Sequence, residues 1–146
     1  MTRSVLKSLV LRCSLALVPV LPAVVQAEVA IVVNPASPLT SISIDEVADL
    51  YLAKADRAST GLKLIPIDQV EGGRSRQDFY DRVVRKSQSQ LNSYWSRLIF
   101  TGKARPPFAV SNDAEVLDLV AMNPSMLGYV DAAAVNGRVK VVLVVK

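Results

Sequence analysis

Residues 62–84 read LKLIPIDQVEGGRSRQDFYDRVV, and this stretch decides the fold class. Leu62 to Ile67 is an apolar run of strand length with Pro66 near its end. Asp68 to Gly73 is the outgoing loop, closed by the Gly72-Gly73 pair. A helical period begins at Ser75 and carries Phe79, Val83 and Val84 on one face. A strand that passes into a helix through a glycine turn is the repeating unit of α/β folds.

The flanks repeat the alternation. Upstream, Val29 to Val33 is continuously apolar, the pattern of a strand buried on both faces, and Asn34-Pro35 ends it. Ser43 and Glu46 form a capping box, and Val47, Leu50 and Tyr51 share the helical face behind it. That helix stops near Ala53, and residues 54–61 are a polar loop. Downstream, Ser87 and Gln90 form a second capping box. Leu91, Tyr94, Trp95, Leu98 and Ile99 follow at i, i+3, i+4, i+7 and i+8, a stripe expected to be core, with Gly102 as the stop. Residues 103–110, with Pro106-Pro107, read as an irregular connection. Asn112 caps a third helix, with Glu115 three residues on and Val116, Leu117 and Val120 facing inward; Pro124 closes it. Met126 to Val130 is a short strand interrupted by Gly128. Asp131 to Val135 is a turn of helix, Asn136-Gly137 a turn, and Val139 to Val145 a last apolar strand. The expected architecture is a three-layer α/β domain, a single lobe with a mostly parallel sheet.

The chain has 146 residues, 17 basic and 13 acidic, with one cysteine and no histidine. Arg3, Lys7 and Arg12 lie in residues 1–27, which hold no acid. Without them the 119 residues from Glu28 onward carry 14 basic against 13 acidic side chains, a net of +1. That balance argues against a nucleic-acid protein driven by excess positive charge.

Residues 1–27 read as an export signal. Arg3 and Lys7 open it, Leu9 to Val25 is apolar, and Val25-Gln26-Ala27 offers small residues for cleavage. A membrane anchor fits less well. Arg12 leaves 15 uncharged residues, Cys13 to Ala27, where a spanning helix needs about 20. Pro19 and Pro22 also break such a helix. A lipid anchor needs a small residue before the modified cysteine, and Arg12 precedes Cys13. Residues 28–146 then form one periplasmic domain with no stable membrane insertion after cleavage. The mature chain has neither cysteine nor histidine. That excludes disulfides, thiol nucleophiles, imidazole bases and thiolate or imidazole metal sites. The reading is of a non-enzyme that needs no cofactor and no metal.

The chemistry concentrates at Gly72, Gly73, Arg74, Ser75 and Arg76. The glycines free the backbone to curl. The helix that follows offers unpaired amides, to which Ser75 adds a hydroxyl and Arg74 and Arg76 add cations. These are the elements of an oxyanion site. The plainer reading is a structural one, with Ser75 capping its helix against Asp78 and both arginines solvated. Asp45, Glu46, Asp49, Asp78 and Asp81 sit near helix starts, where acids are dipole partners. A Ser75–Lys63 pair has no supporting spacing.

The chain resembles the substrate-binding proteins of bacterial phosphate ABC transporters, and more closely their short single-lobe relatives of the type II periplasmic-binding fold. Four stretches carry the resemblance. They are Asn34-Pro35 with Leu39 to Glu46 and Leu50 to Leu52; Gly61 to Asp68; Gly73 to Tyr80 with Tyr94-Trp95 to Gly102; and Asn123 to Val130, similar to the family's Pro-Gly-Ala-Ile-Gly-Tyr-Val. In full-length members the turn reads Arg-x-x-x-Ser-Gly-Thr and binds phosphate. Gln69 stands at the arginine position, Gly73-Arg74 at the Ser-Gly pair and Ser75 at the threonine, so one hydroxyl is retained. A complete member closes two lobes around its ligand, in about twice this length.

Two functions follow from that resemblance. One is an exported module that binds phosphate or a similar oxyanion weakly at residues 72–76 and serves an ABC transporter. The other is an envelope interaction module that kept the fold and lost the ligand. Common to both is removal of residues 1–27. Intact mass of protein recovered from the periplasm should match a chain starting at Glu28; a full-length mass there would refute export by cleavage.

Overall fold

The computed structural model describes residues 19–23 and 26–146; most of the expected export signal lies outside them. The first strand, β1 (Val29–Val33), is buried along its whole length, as its unbroken apolar run requires. It is followed by α1 (Ile44–Tyr51), β2 (Ile65–Gln69), α2 (Arg74–Phe79) running into a π-helical turn (Tyr80–Val84), and α3 (Gln88–Phe100). Then come β3 (Phe108–Val110), α4 (Asp113–Met122), β4 (Met126–Asp131), a 3-10 turn (Ala132–Ala134) and β5 (Lys140–Val145).

The five strands form one sheet in the order β3-β2-β4-β1-β5. β2 runs parallel to β3 and to β4, whereas β1 is antiparallel to β4 and to β5. Four strands therefore point one way and β1 opposes them. The sheet is mostly parallel in strand direction, as expected, and mixed in its pairings: two of the four are antiparallel, both made by β1. The cause is the insertion of the first strand between the last two. A run buried on both faces records depth in the sheet, not direction.

Alternation along β1 divides the core. Val29, Ile31 and Val33 face α1, α2 and the π turn, and Ala30 and Val32 face α4. This gives the expected three layers. Both expected capping boxes form, at Ser43/Glu46 and Ser87/Gln90, and Asn112 caps α4. Glu46 also accepts the Ser59 amide at 2.7 Å, which clips the 54–61 loop to α1. Ser59 and the Ser43 amide together hold the Glu46 carboxyl down at about 2.

Three expectations shift. β2 begins at Ile65 rather than Leu62 and ends in two polar residues, Asp68 and Gln69, both buried. β3 lies in the segment read as a connection. It is three residues long, sits at the sheet edge and follows Pro106-Pro107, so it has no periodic signature. The α3 stripe is only partly core. Leu91 is buried, Tyr94, Trp95 and Leu98 are half-buried, and Ile99 is 53% exposed. The helix is held near its start, with the Tyr94 hydroxyl donating to the Leu52 carbonyl at 2.6 Å. Beyond that tether the stripe opens onto a groove.

Gly128 does not interrupt β4; it lets α4 lie close against it. A methyl group there would overlap Val116 Cγ1 and press on Val120 Cγ2 at 3.2 Å. Both neighbours are β-branched and stiff in a helix. Gly128→Ala should therefore destabilise the fold by about 1–3 kcal/mol, the usual cost of overpacking. Urea melts measure this, and coincident curves for variant and parent would contradict the close approach.

Candidate functional site

The turn before α2 curls as its glycines predict. Gly72 has a φ of 97°, and Gly73 is the N-cap residue. No side chain caps α2, whereas α1, α3 and α4 are capped by Ser43, Ser87 and Asn112. Ser75 does not cap its own helix. Its hydroxyl donates to Asp113 Oδ2 at 2.9 Å. Asp78, the expected capping partner, lies instead between Arg74 and Arg82, at 3.6 Å from each.

The two arginines diverge. Arg74 is exposed at the surface. Arg76 turns inward: its guanidinium stacks on the Tyr80 ring at 4.5 Å and donates to Gln88 Oε1 at 2.7 Å. Its Nε lies 3.8 Å from Asp68 Oδ1, is buried and makes no hydrogen bond. Among the five expected residues, therefore, Gly72, Gly73 and Arg74 surround the open turn. Ser75 is drawn toward α4 and Arg76 toward the groove. Lys63 does not engage Ser75, whose hydroxyl is taken by Asp113.

Sequence reasoning missed Asp113, Asp68, Tyr80 and Tyr129. Asp113 Oδ1 accepts from Gln69 Nε2 at 2.8 Å, and its Oδ2 accepts from the Asp131 amide at 3.1 Å as well as from Ser75. Gln69 and Ser75, matched above to ligand-binding positions, thus meet on one carboxylate of the protein itself. Asp68 is 6% exposed and accepts both the Tyr80 and Tyr129 hydroxyls at 2.6 Å, and the Gln69 amide at 2.8 Å. The only sequence signal was two polar residues closing an apolar strand. Burial, and after it the negative charge of Asp68, holds both phenols well above their ordinary range.

A groove of about 470 Å³ lies beside this network, with Gln69 and Arg76 at its base and Trp95, Ile99 and Pro107 along its wall. A smaller cleft of about 240 Å³ reaches Gly72, Gly73, Tyr80 and Lys86.

No protein-family model and no curated protein matches the chain. Solved structures do. An ABC-type phosphate transport receptor from Vibrio cholerae superposes with a TM-score of 0.62 at 17% identity, over 80% of this chain and 45% of that one. The chain has the fold of part of a phosphate transport receptor. A putative phosphate ABC transporter substrate-binding protein with bound phosphate, from Clostridium perfringens, gives 0.60 at 16% identity, over 80% of this chain and 44% of that one. PstS from Borrelia burgdorferi gives 0.53 at 14%, over 73% and 41%. The chain therefore spans less than half the length of each of these three proteins. Among the described residues no helix is long and apolar enough to cross a membrane.

The Asp68 network has a measurable signature. Ordinary tyrosine ionises near pH 10, and the chain has four. Tyr80 and Tyr129 should remain protonated past that pH while the protein stays folded. The unfolded chain then releases those protons first, so stability is full below about pH 10 and falls as pH rises above it. Phenolate absorbance and urea melts read the two effects. Ionisation of all four tyrosines near pH 10 in the folded protein would contradict the network.

Proposed function

We propose that the protein is an exported, non-catalytic binding module of the periplasm, one that keeps the receptor scaffold and engages an envelope protein across the groove face. The observation that carries this reading is the commitment of Ser75 to Asp113. An acidic side chain stands beside the turn where a phosphate would need its hydroxyl. Glu71 and Asp81 line the same cleft as Arg76 and Lys86, and Arg74 is paired with Asp78. A dianion gains little where the cations are already matched by acids. The groove face has the complementary property. On the groove wall Ile99 is 53% exposed, and beside it at the end of α3 Phe100 is 92% exposed; large exposed apolar side chains of this kind are features of contact surfaces. The absence of cysteine and histidine from Glu28 onward supports a binding role over a catalytic one. An ABC transporter is the natural class of partner, because the matched structures are described as parts of such systems.

A second reading is favoured by the bare cap at Gly73. The unpartnered amides at residues 73–76, with Arg74, would hold phosphate or a similar oxyanion weakly. One lobe alone covers less of a ligand than two, so for the described residues the dissociation constant would lie nearer millimolar than nanomolar, about −4 rather than −12 kcal/mol. Added salt would weaken it.

Two measurements separate the readings. A photo-crosslinking residue at Phe100 should give a discrete adduct in intact cells, while one at Asp118, on the α4 side, should not. Phosphate at tens of millimolar should leave the amide signals of residues 72–77 unmoved. Saturable, salt-sensitive shifts at those amides without a crosslink would favour the oxyanion reading instead.

A further inference from the structure

Three donors from three separate elements converge on the Asp113 side chain. Gln69 Nε2 comes from the end of β2, the Ser75 hydroxyl from α2 and the Asp131 amide from the end of β4. The carboxylate comes from a fourth element, α4. We propose that Gln69, Ser75 and the Asp131 amide form a carboxylate-binding cradle that the protein fills with its own Asp113, and that the emptied cradle takes up small free carboxylates.

The donors are arranged before any ligand arrives. Gln69 is 4% exposed, and its Nε2 also donates to the Tyr129 carbonyl at 3.1 Å. Both neighbours of that nitrogen are acceptors, which fixes the end of the amide turned toward Asp113. The Asp131 amide is held by its place at the end of a sheet strand paired with Val29. One donor serves Oδ1 and two serve Oδ2, a pattern that suits a planar group with two oxygens. All three donors are neutral. The cradle therefore matches a monoanionic carboxylate such as formate or acetate better than a dianion.

In the intact chain Asp113 is tethered, so it competes at a high effective concentration, and free carboxylates at millimolar levels do not displace it. Truncating it leaves the Ser75 hydroxyl, the Asp131 amide and one N–H of the Gln69 side chain without this acceptor in a partly buried site, which is costly unless another acceptor enters. This deepens the reading that the turn is closed to free anions, and it is tested apart from the partner.

The test uses the purified protein and its Asp113→Ala variant, titrated with formate against equal chloride. Formate should raise the melting temperature of the variant and leave the parent unchanged. It should also shift the Gln69 side-chain amide and the Ser75 and Asp131 backbone amides saturably. Adding Ser75→Ala to the variant should weaken formate binding severalfold or more. Acetate should act less than formate in the alanine variant and more in Asp113→Gly, where the vacated space is larger by a carbon. If Asp113→Ala is unfolded in buffer, formate should restore its dispersed spectrum where chloride does not. A folded variant blind to formate, or an unfolded one that formate cannot rescue, would overturn the cradle and leave Asp113 as a partner of the α4 dipole. Equal formate shifts in the parent would overturn the internal occupancy.

Discussion

Asp68 lies one residue from the end of β2, inside the protein, and a carboxylate at that depth survives only if its lone pairs are matched. The rest of the site follows from how that is done. Tyr129 reaches it from β4, Tyr80 from the π turn, and the Gln69 amide folds back onto it. The same tyrosines carry the central packing: Phe79 stacks on Tyr129 with ring centroids 3.9 Å apart, and Tyr51 lies against Phe79 at 4.6 Å. Tyr51 also donates to the Ile67 and Leu127 carbonyls, bridging β2 and β4 where the two strands diverge. One buried charge thus fixes the orientation of two strands, a helix and the aromatic centre at once.

The consequence for the glycine turn is a division of its residues. Arg76 is recruited toward the buried carboxylate and stacked on Tyr80, on the wall of the small cleft that Gly72 and Gly73 also border. Ser75, one position earlier, points the other way to Asp113. What remains at the surface is backbone and Arg74. A turn that looks like a cluster of five cooperating residues in one dimension is three small sites in three.

Much of the fold was legible because it is written in local codes. The capping boxes at Ser43 and Ser87 and the Asn112 cap need only four residues each to be recognised. The burial of β1 shows in five consecutive apolar residues. Strand direction, by contrast, depends on where β1 inserts, which no local pattern records. β3 owes its existence to pairing with Ile67 to Gln69, not to its own residues. The α3 stripe shows why period alone misleads. It orients Trp95 and Ile99 to one side but does not supply a neighbour for them. The site was legible as a turn and illegible as a network. Asp113 lies 38 residues from Ser75 and has the composition of an ordinary first-turn acid.

The order of the sheet carries one more consequence. Among the described residues β5 has a neighbour on one side only, β1. Its sequence, KVVLVV, has strong β preference, and Val141 and Val144 are 37% and 45% exposed. Such an edge is a template for another chain. Lys140, which would guard it, spends its amine on the Ser37 carbonyl at 2.6 Å. The guard is left largely to Lys146, a single flanking charge of the kind that keeps aggregation-prone strands apart. Were copies of this protein to associate at high concentration, the sheet margin at β5, rather than the core, is where the pairing would begin.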